Sequence, residues 1–591
     1  MRRTVAVVAC LVAILGLLAP AAFAQAPAPK VTINGLFDQI TSGGYNIYDG
    51  DLSRRGDREW YARTRFRPDF TFEVGRTKAV MGLEMDVVYG QTGNCGNGPT
   101  KGGGVFAAGT PCAGEKNGST TGSSLNTDVA GIVEFKWLYT EFDLTGKDSL
   151  LPFIPIGTVA RAGLQPFQSY GGLVGTYRAD YAQGDFPGFS ALTTWAPNLK
   201  TGFAYVMVDE ALGTFNRAGV GTSAGTATIP TRGDDFAIII SAELTPFKGL
   251  DIKPIYSYFF AQGTTSGSAR QSLTNITTPN GFVGGGVFTG ATAGGNVAGT
   301  PAYQLRNSGG AAVYANGDPS QHENRHTIGF DGRWRSGPFS FDPTVLFQFG
   351  KRSMVDYAGP AGSTYSKHSV EGDIHAWLVD IQGGFQLGPL LLEARGIYST
   401  GNKARDNLSR NIKYFQPLDL DTGFYAGWAN IIALGIDYFN GGNLANMANN
   451  VGYDRYGRAQ LGFRATYSLT PELAVYGILS PTWAAEKVDT DTTLSLAPSS
   501  SNNVIRVCSR AADIGGNCFV KGDNRYIGTE VDLGTTWRFA PNTAFDLVGA
   551  YLFAGHALDT RVCPSGSATG NCHKEEAHGG WTVAARVRMS F

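Results

Sequence analysis

The sequence predicts an all-β chain, a transmembrane antiparallel β-barrel of about 18 strands (range about 16 to 20) with short turns at one end and long loops at the other. Three observations predict it. Residues 581–591, W-T-V-A-A-R-V-R-M-S-F, alternate strictly, so Trp581, Val583, Ala585, Val587, Met589 and Phe591 share one strand face and Arg586 and Arg588 the other. Such a strand calls for oil on one side and water on the other, which a barrel in a membrane supplies. Composition agrees, with 42% hydrophobic residues, 16% charged and 80 glycines, against roughly 25% charge in soluble domains. Beyond residue 24 no run approaches the ~20 apolar residues of a membrane helix. Third, strand-like segments come in pairs joined by very short turns, and long polar loops separate the pairs.

Taken in order, residues 30–45 form the first strand, with Val31, Ile33 and Phe37 in phase. Residues 60–74 set Trp60, Phe66, Phe70 and Phe72 against Arg63, Arg65 and Arg67. A turn at Gly75-Arg76-Thr77 leads into residues 78–89, whose inner face carries Glu84 and Asp86. Cross-strand neighbours approach within about 5 Å, so these charges are expected to interact. In residues 129–144, alternation places Val133, Phe135, Trp137 and Tyr139 outward and Glu134 and Lys136 inward. Residues 158–167 follow with Arg161 inward, then a hairpin of 189–196 and 201–209 through Pro197-Asn198. Five cleaner hairpins pair 236–244 with 250–261, 326–335 with 339–352, 370–387 with 390–398, 456–469 with 473–483, and 526–539 with 544–553. Residues 427–439 fit a loop, a segment folded into the lumen, or an extra hairpin. An open sheet edge is excluded in hydrocarbon, so residues 30–45 and 581–591 are expected to pair and close the barrel.

Arg2 and Arg3, the apolar stretch 5–18 and Ala22-Phe23-Ala24 form a secretory signal peptide, with cleavage after Ala24 and residues 25–591 as one barrel domain. Three close cysteine pairs then remain, Cys95 with Cys112, Cys508 with Cys518, and Cys563 with Cys572, all in long polar connections. In an exported chain they read as three loop disulfides. Metal binding is the rival, but there is no C-x-x-C and no zinc-site spacing, so no metal or cofactor is expected. Asp419, Asp421 and Gly423 echo a calcium loop without its remaining ligands. With 48 Lys+Arg against 49 Asp+Glu there is no basic excess for nucleic acid. The motifs G-x-S-x-G, H-E-x-x-H, the P-loop and C-x-x-C-H are missing, so no enzyme is expected.

Barrels of about 16 to 18 strands leave an aqueous channel. No separate plug is expected, and the loops 90–126, 263–321 and 401–450 are the candidates for narrowing the lumen from within. The pore-lining residues expected from alternation are Arg63, Arg65, Arg67, Glu84, Asp86, Glu134, Lys136, Arg161, Asp331, Arg333, Glu393, Arg395, Arg458, Arg464, Glu530, Asp532, Arg586 and Arg588. If the last strand pairs with the first, Arg586 and Arg588 approach Arg63, Arg65 and Arg67 and build a basic wall. Carboxylates facing it would set up a transverse field; ion-paired lumen charges would leave little selectivity.

The signal peptide, the strand–turn–strand–long loop rhythm and the final V-A-A-R-V-R-M-S-F together resemble Gram-negative outer-membrane porins. In that class a C-terminal phenylalanine on an alternating strand is read by the barrel-assembly machinery. Within it, G-T-V-A-R-A-G-L-Q-P-F (residues 157–167) and T-G-N-K-A-R-D-N with Y-F-Q-P-L-D-L-D-T-G-F-Y-A-G-W (within residues 400–428) are similar to segments of alginate-export-like barrels. The resemblance implies an outer-membrane channel for passive diffusion of small hydrophilic solutes or ions. Its expected partners are outer-membrane lipid and lipopolysaccharide, the assembly machinery during insertion, and two further copies in a homotrimer. A dedicated exporter or conduit, for an anionic polymer or as the sheath of a redox protein, is the alternative.

Overall fold

The computed structural model describes residues 28–47, 58–89, 132–167, 185–210, 234–262, 322–358, 366–403, 411–418, 428–432, 456–488, 522–562 and 573–591, with shorter pieces between them that include parts of 172–182. The signal peptide, the six loop cysteines, the loops 90–126 and 263–321, and Asp419, Asp421 and Gly423 lie outside the described residues.

Among these residues eighteen strands form one continuous antiparallel sheet. They are β1 (Lys30–Tyr45), β2 (Arg58–Val74), β3 (Thr77–Tyr89), β4 (Ile132–Thr145), β5 (Thr158–Pro166), β6 (Asp185–Ala196), β7 (Leu199–Glu210), β8 (Asp234–Phe247) and β9 (Leu250–Gln262). The second half comprises β10 (His322–Ser336), β11 (Phe339–Ala358), β12 (Ser366–Leu387), β13 (Leu390–Ser399), β14 (Arg458–Ser468), β15 (Leu473–Val488), β16 (Asn524–Ala540), β17 (Thr543–Ala554) and β18 (Gly580–Ser590). Each pairs with its neighbours in sequence, and β18 returns to β1 from Tyr45↔Trp581 to Leu36↔Ser590. All sequence-predicted strands are present, and the barrel is closed as expected.

The short turns lie at one end. Gly75, Gly249, Gly337, Gly388 and Asn542 turn there with φ of 61°, 91°, 56°, 55° and 55°, the left-handed region that two-residue hairpin turns demand. The connections at the other end are long except between β11 and β12, which pair as far as Ala358↔Ser366. Sequence alternation predicts that hairpin to end near Arg352 and Val370; the strands run on because cross-strand bonds continue beyond the apolar band.

Large apolar side chains point outward and stay exposed, as lipid-facing residues must. Trp195, Phe247, Phe339, Trp537, Phe539 and Phe591 ring the turn end, and Trp60, Tyr205, Trp377, Tyr398, Tyr551 and Trp581 ring the loop end. Two aromatic girdles on an apolar band are the outer surface of a membrane-spanning barrel.

One strand departs from simple alternation. Gly82 faces Trp137 while Leu83 faces Phe135, so one extra residue sits at Lys136. This β-bulge shifts the phase of the rest of the strand. Trp137 and Tyr139, expected outward, turn into the lumen, where the Trp137 indole N–H donates to Asp185 Oδ1 at 2.7 Å and Arg161 lies 4.7 Å from the Tyr139 ring. Leu138 takes the outer face, 53% exposed. In a cysteine-free background, Trp137→Cys is expected to react with a charged, water-soluble thiol reagent and Leu138→Cys to resist it. The reverse pattern would restore uninterrupted alternation.

Candidate functional site: the lumen

The inner wall carries both apolar and charged side chains, and its apolar residues cluster on one side. Across β6 to β13 the inward face carries Ala204, Val206, Ala237, Ile239, Ile255, Phe259, Leu346 and Leu378, all buried, against Phe167, Val174 and Tyr181 from the β5–β6 connection and Phe415 and Leu418 from the β13–β14 connection. Two chain segments therefore fold inward and cover this side of the lumen with a packed core. They also bond to each other, Leu418 N donating to Tyr181 O at 2.6 Å, and the Tyr181 hydroxyl meets Ser257 at 2.8 Å. Residues 411–418 belong to one expected constricting loop. The described parts of 167–182 were not among the expected narrowing segments, because that stretch carries no periodicity to mark it.

Polar side chains of the wall pin these segments. The backbone N–H of Tyr177 donates to Asp331 at 2.7 Å. Arg178 reaches Asp380 at 2.6 Å, and Asp380 also binds Arg395 through two bonds of 2.9 and 2.5 Å. Arg333 lies 4.3 Å from the Tyr177 ring. Gln416 exchanges two bonds with Gln348, 2.6 and 2.9 Å, and accepts from Arg352 at 2.9 Å. Arg352 in turn binds Glu323, which also holds Arg325.

The rest of the circumference carries most of the charges predicted from alternation. Closure sets Asp38 on β1 opposite both Arg65 and Arg588, and Ile40 opposite both Arg63 and Arg586. The five arginines thus share one stretch of wall but alternate with acids. Arg588 binds Asp38 through bonds of 2.7 and 2.8 Å, Arg586 binds Asp546 at 2.7 Å, and Arg65 and Arg67 share Glu84 at 2.9 and 3.1 Å. Arg63 is fully buried. Further round, Lys136 meets Asp185 at 3.2 Å and Arg161 meets Glu141 at 2.7 Å. Arg464 meets Glu393 at 2.6 Å, and Arg458 is buried with a 3.4 Å contact to Gln460. Glu530 and Asp532 are buried beneath residues 430–432. The backbones of Asp86 and Glu134 sit opposite Arg65 and Glu84; their side chains lie outside the described residues.

Sequence reasoning missed the partner acids Asp38, Glu141, Asp185, Glu323, Asp380 and Asp546. Asp38 was legible, since it lies on the face opposite Val31, Ile33 and Phe37, and Asp380 shares the inward face of β12 with Leu378. Arg65, Arg67, Arg464 and Arg588 keep 16%, 27%, 30% and 33% of their side chains accessible. These, with Lys136, are among the cations that a solute in the lumen can meet.

No family model matches the chain, nor does any curated protein, so the likeness of residues 157–167 and 400–428 to alginate-export barrels remains an expectation. Among solved structures, the chain is similar to Pseudomonas aeruginosa OccK8 (OprE), with 9% identity, 95% of this chain and 98% of that chain covered, and a TM-score of 0.41. It is similar to a BenF-like porin from Pseudomonas fluorescens Pf-5, with 10% identity, 95% and 98% coverage and a TM-score of 0.41. Acinetobacter baumannii OccAB4 is a third, with 9% identity, 96% and 99% coverage and a TM-score of 0.41.

Proposed function

We propose that the chain is an outer-membrane porin, a water-filled channel through which small hydrophilic solutes or ions diffuse passively. The observation that carries this reading is a closed eighteen-strand barrel whose outer face is apolar and whose inner face, from β14 round to β5, is lined with partly accessible charged side chains. Strand number sets diameter, and barrels of about this size enclose an aqueous lumen. The two inward segments on the β6–β13 side make the route eccentric and restrict it to small solutes. They also argue against a conduit for a bulky polymer or a sheathed redox protein. The barrel sits in the outer membrane of a Gram-negative cell, inserted by the barrel-assembly machinery and surrounded by outer-membrane lipid and lipopolysaccharide.

Reconstituted into planar bilayers, the purified protein is expected to produce stable, ohmic single-channel steps. A folded barrel that inserts but carries no current would remove the porin reading.

A further inference from the structure

A third inward piece, residues 428–432, lies against the other wall. Three consecutive backbone N–H groups converge there on one side chain. Asn430 N and Ile431 N donate to Glu530 Oε1 at 2.6 and 2.7 Å, and Ile432 N donates to Glu530 Oε2 at 2.8 Å. Beside them, Asn430 Nδ2 donates to Asp532 Oδ2 at 2.7 Å. Both acids lie on the inward face of β16, two residues apart, and Leu533 beside Asp532 turns outward to the lipid face at 70% exposure. Ala429, Ile431 and Ile432 are buried behind this contact. Successive N–H groups pointing into one concavity form an anion-binding nest, and here the wall supplies the anion.

We propose that Glu530, supported by Asp532, is a positioning residue that sets the width and lining of the lumen along β14–β16 by clipping residues 430–432 to the wall. The inference rests on the channel reading. What the clip positions is visible next to it. Trp428 begins this piece and stands with its ring 4.5 Å from the Arg464 guanidinium, close over Gly462, where any Cβ would lie 3.5 Å from the indole. Arg464 is itself held by Glu393 and remains partly accessible. Fixing residues 430–432 therefore fixes an indole against a guanidinium that a solute can meet. Without an acceptor at Glu530, three buried N–H groups lose their partner together, and buried unpaired donors are costly enough that the segment must leave the wall. A carboxylate serves all three donors, whereas an amide offers one oxygen and turns an NH2 toward the rest.

The test pairs two readouts on the full-length barrel in detergent and in bilayers. Hydrogen exchange of the peptide spanning residues 430–432 is expected to be slow in the wild type and fast in Glu530→Gln. Single-channel conductance is expected to rise, and the exclusion limit in liposome swelling to move to larger sugars, while heat-modifiable migration shows an intact barrel. Ile431→Pro, which deletes one donor and leaves the wall unaltered, is expected to act in the same direction and serves if Glu530→Gln does not fold. Exchange that stays slow in a folded variant overturns the clip. Fast exchange with unchanged conductance and exclusion limit overturns its role in the pore. A wild type that shows slow exchange but no current removes the channel reading and leaves the clip as a structural contact only.

Discussion

Replacing Arg63, Arg65 and Arg67 together by alanine is expected to shift the reversal potential in a salt gradient toward cations. The triple variant removes three positive charges from one stretch of β2, among them the two guanidiniums that meet Glu84 at 2.9 and 3.1 Å. In water a unit charge about 8 Å from a passing ion contributes roughly 0.5 kcal/mol. The two accessible charges, Arg65 and Arg67, total about 1 kcal/mol, near a fivefold change in relative permeability before screening, and the buried Arg63 adds less. At physiological salt the Debye length is about 8 Å, which reduces this to roughly twofold. The wild type itself is expected to show only a mild preference, because Asp38, Asp546 and Glu84 already answer the arginines beside them. Glu84 is 6% exposed, and breaking a buried ion pair costs about 3–5 kcal/mol, so Glu84→Gln in the same background separates selectivity from stability. It should restore the melting temperature and return part of the shift. An unchanged reversal potential in the folded triple variant would eliminate this wall as the source of charge bias.

Period-two patterning is legible wherever the two faces of a strand meet different solvents, and this explains why all eighteen strands were readable. Trp60 and Phe72 against Arg63 and Arg65 leave one choice of inside. The same logic fails at Lys136, because a bulge changes the phase without leaving a mark in the pattern and turns Trp137 and Tyr139 into the lumen. It also fails to show that a lumen charge is already answered. Arg588 reads identically whether Asp38 neutralises it or not, and only register sets those two opposite each other. The inward segments were the least legible part. The described parts of 167–182, with residues 411–418 and 430–432, have no period, since irregular backbone packed inside a barrel takes its hydrogen bonds from wall side chains, here Asp331, Gln348 and Glu530 respectively. Sequence pattern does not mark those side chains as acceptors for a particular loop.

Gly35→Val is expected to damage the seam that closes the barrel. Beyond the paired stretch of β1 and β18, Gly35 and Phe591 exchange two backbone bonds, Gly35 N to Phe591 O at 2.9 Å and Phe591 N to Gly35 O at 3.1 Å. The Phe591 ring lies over Gly35 and stacks on Phe66 at 6.1 Å, and Phe66 in turn meets Phe37 at 6.1 Å. A Cβ at position 35 would sit 2.5 Å from Phe591 Cζ and 2.7 Å from the carbonyl oxygen of Arg67. The ring could move aside but the carbonyl belongs to the sheet, so the substitution must spread β1 from β2 or displace the end of β18. Overpacking of this kind costs about 1–3 kcal/mol. The penalty falls on the contact that removes the last open edge, and an unpaired edge in hydrocarbon is not tolerated. The expected result is a lower yield of heat-modifiable, protease-resistant barrel and a lower melting temperature for the fraction that closes. Gly157→Ala is the control, since a Cβ there meets nothing within 4 Å, and it should behave as wild type. If Gly35→Val folds with wild-type yield and stability, the seat of Phe591 on β1 contributes nothing to closure.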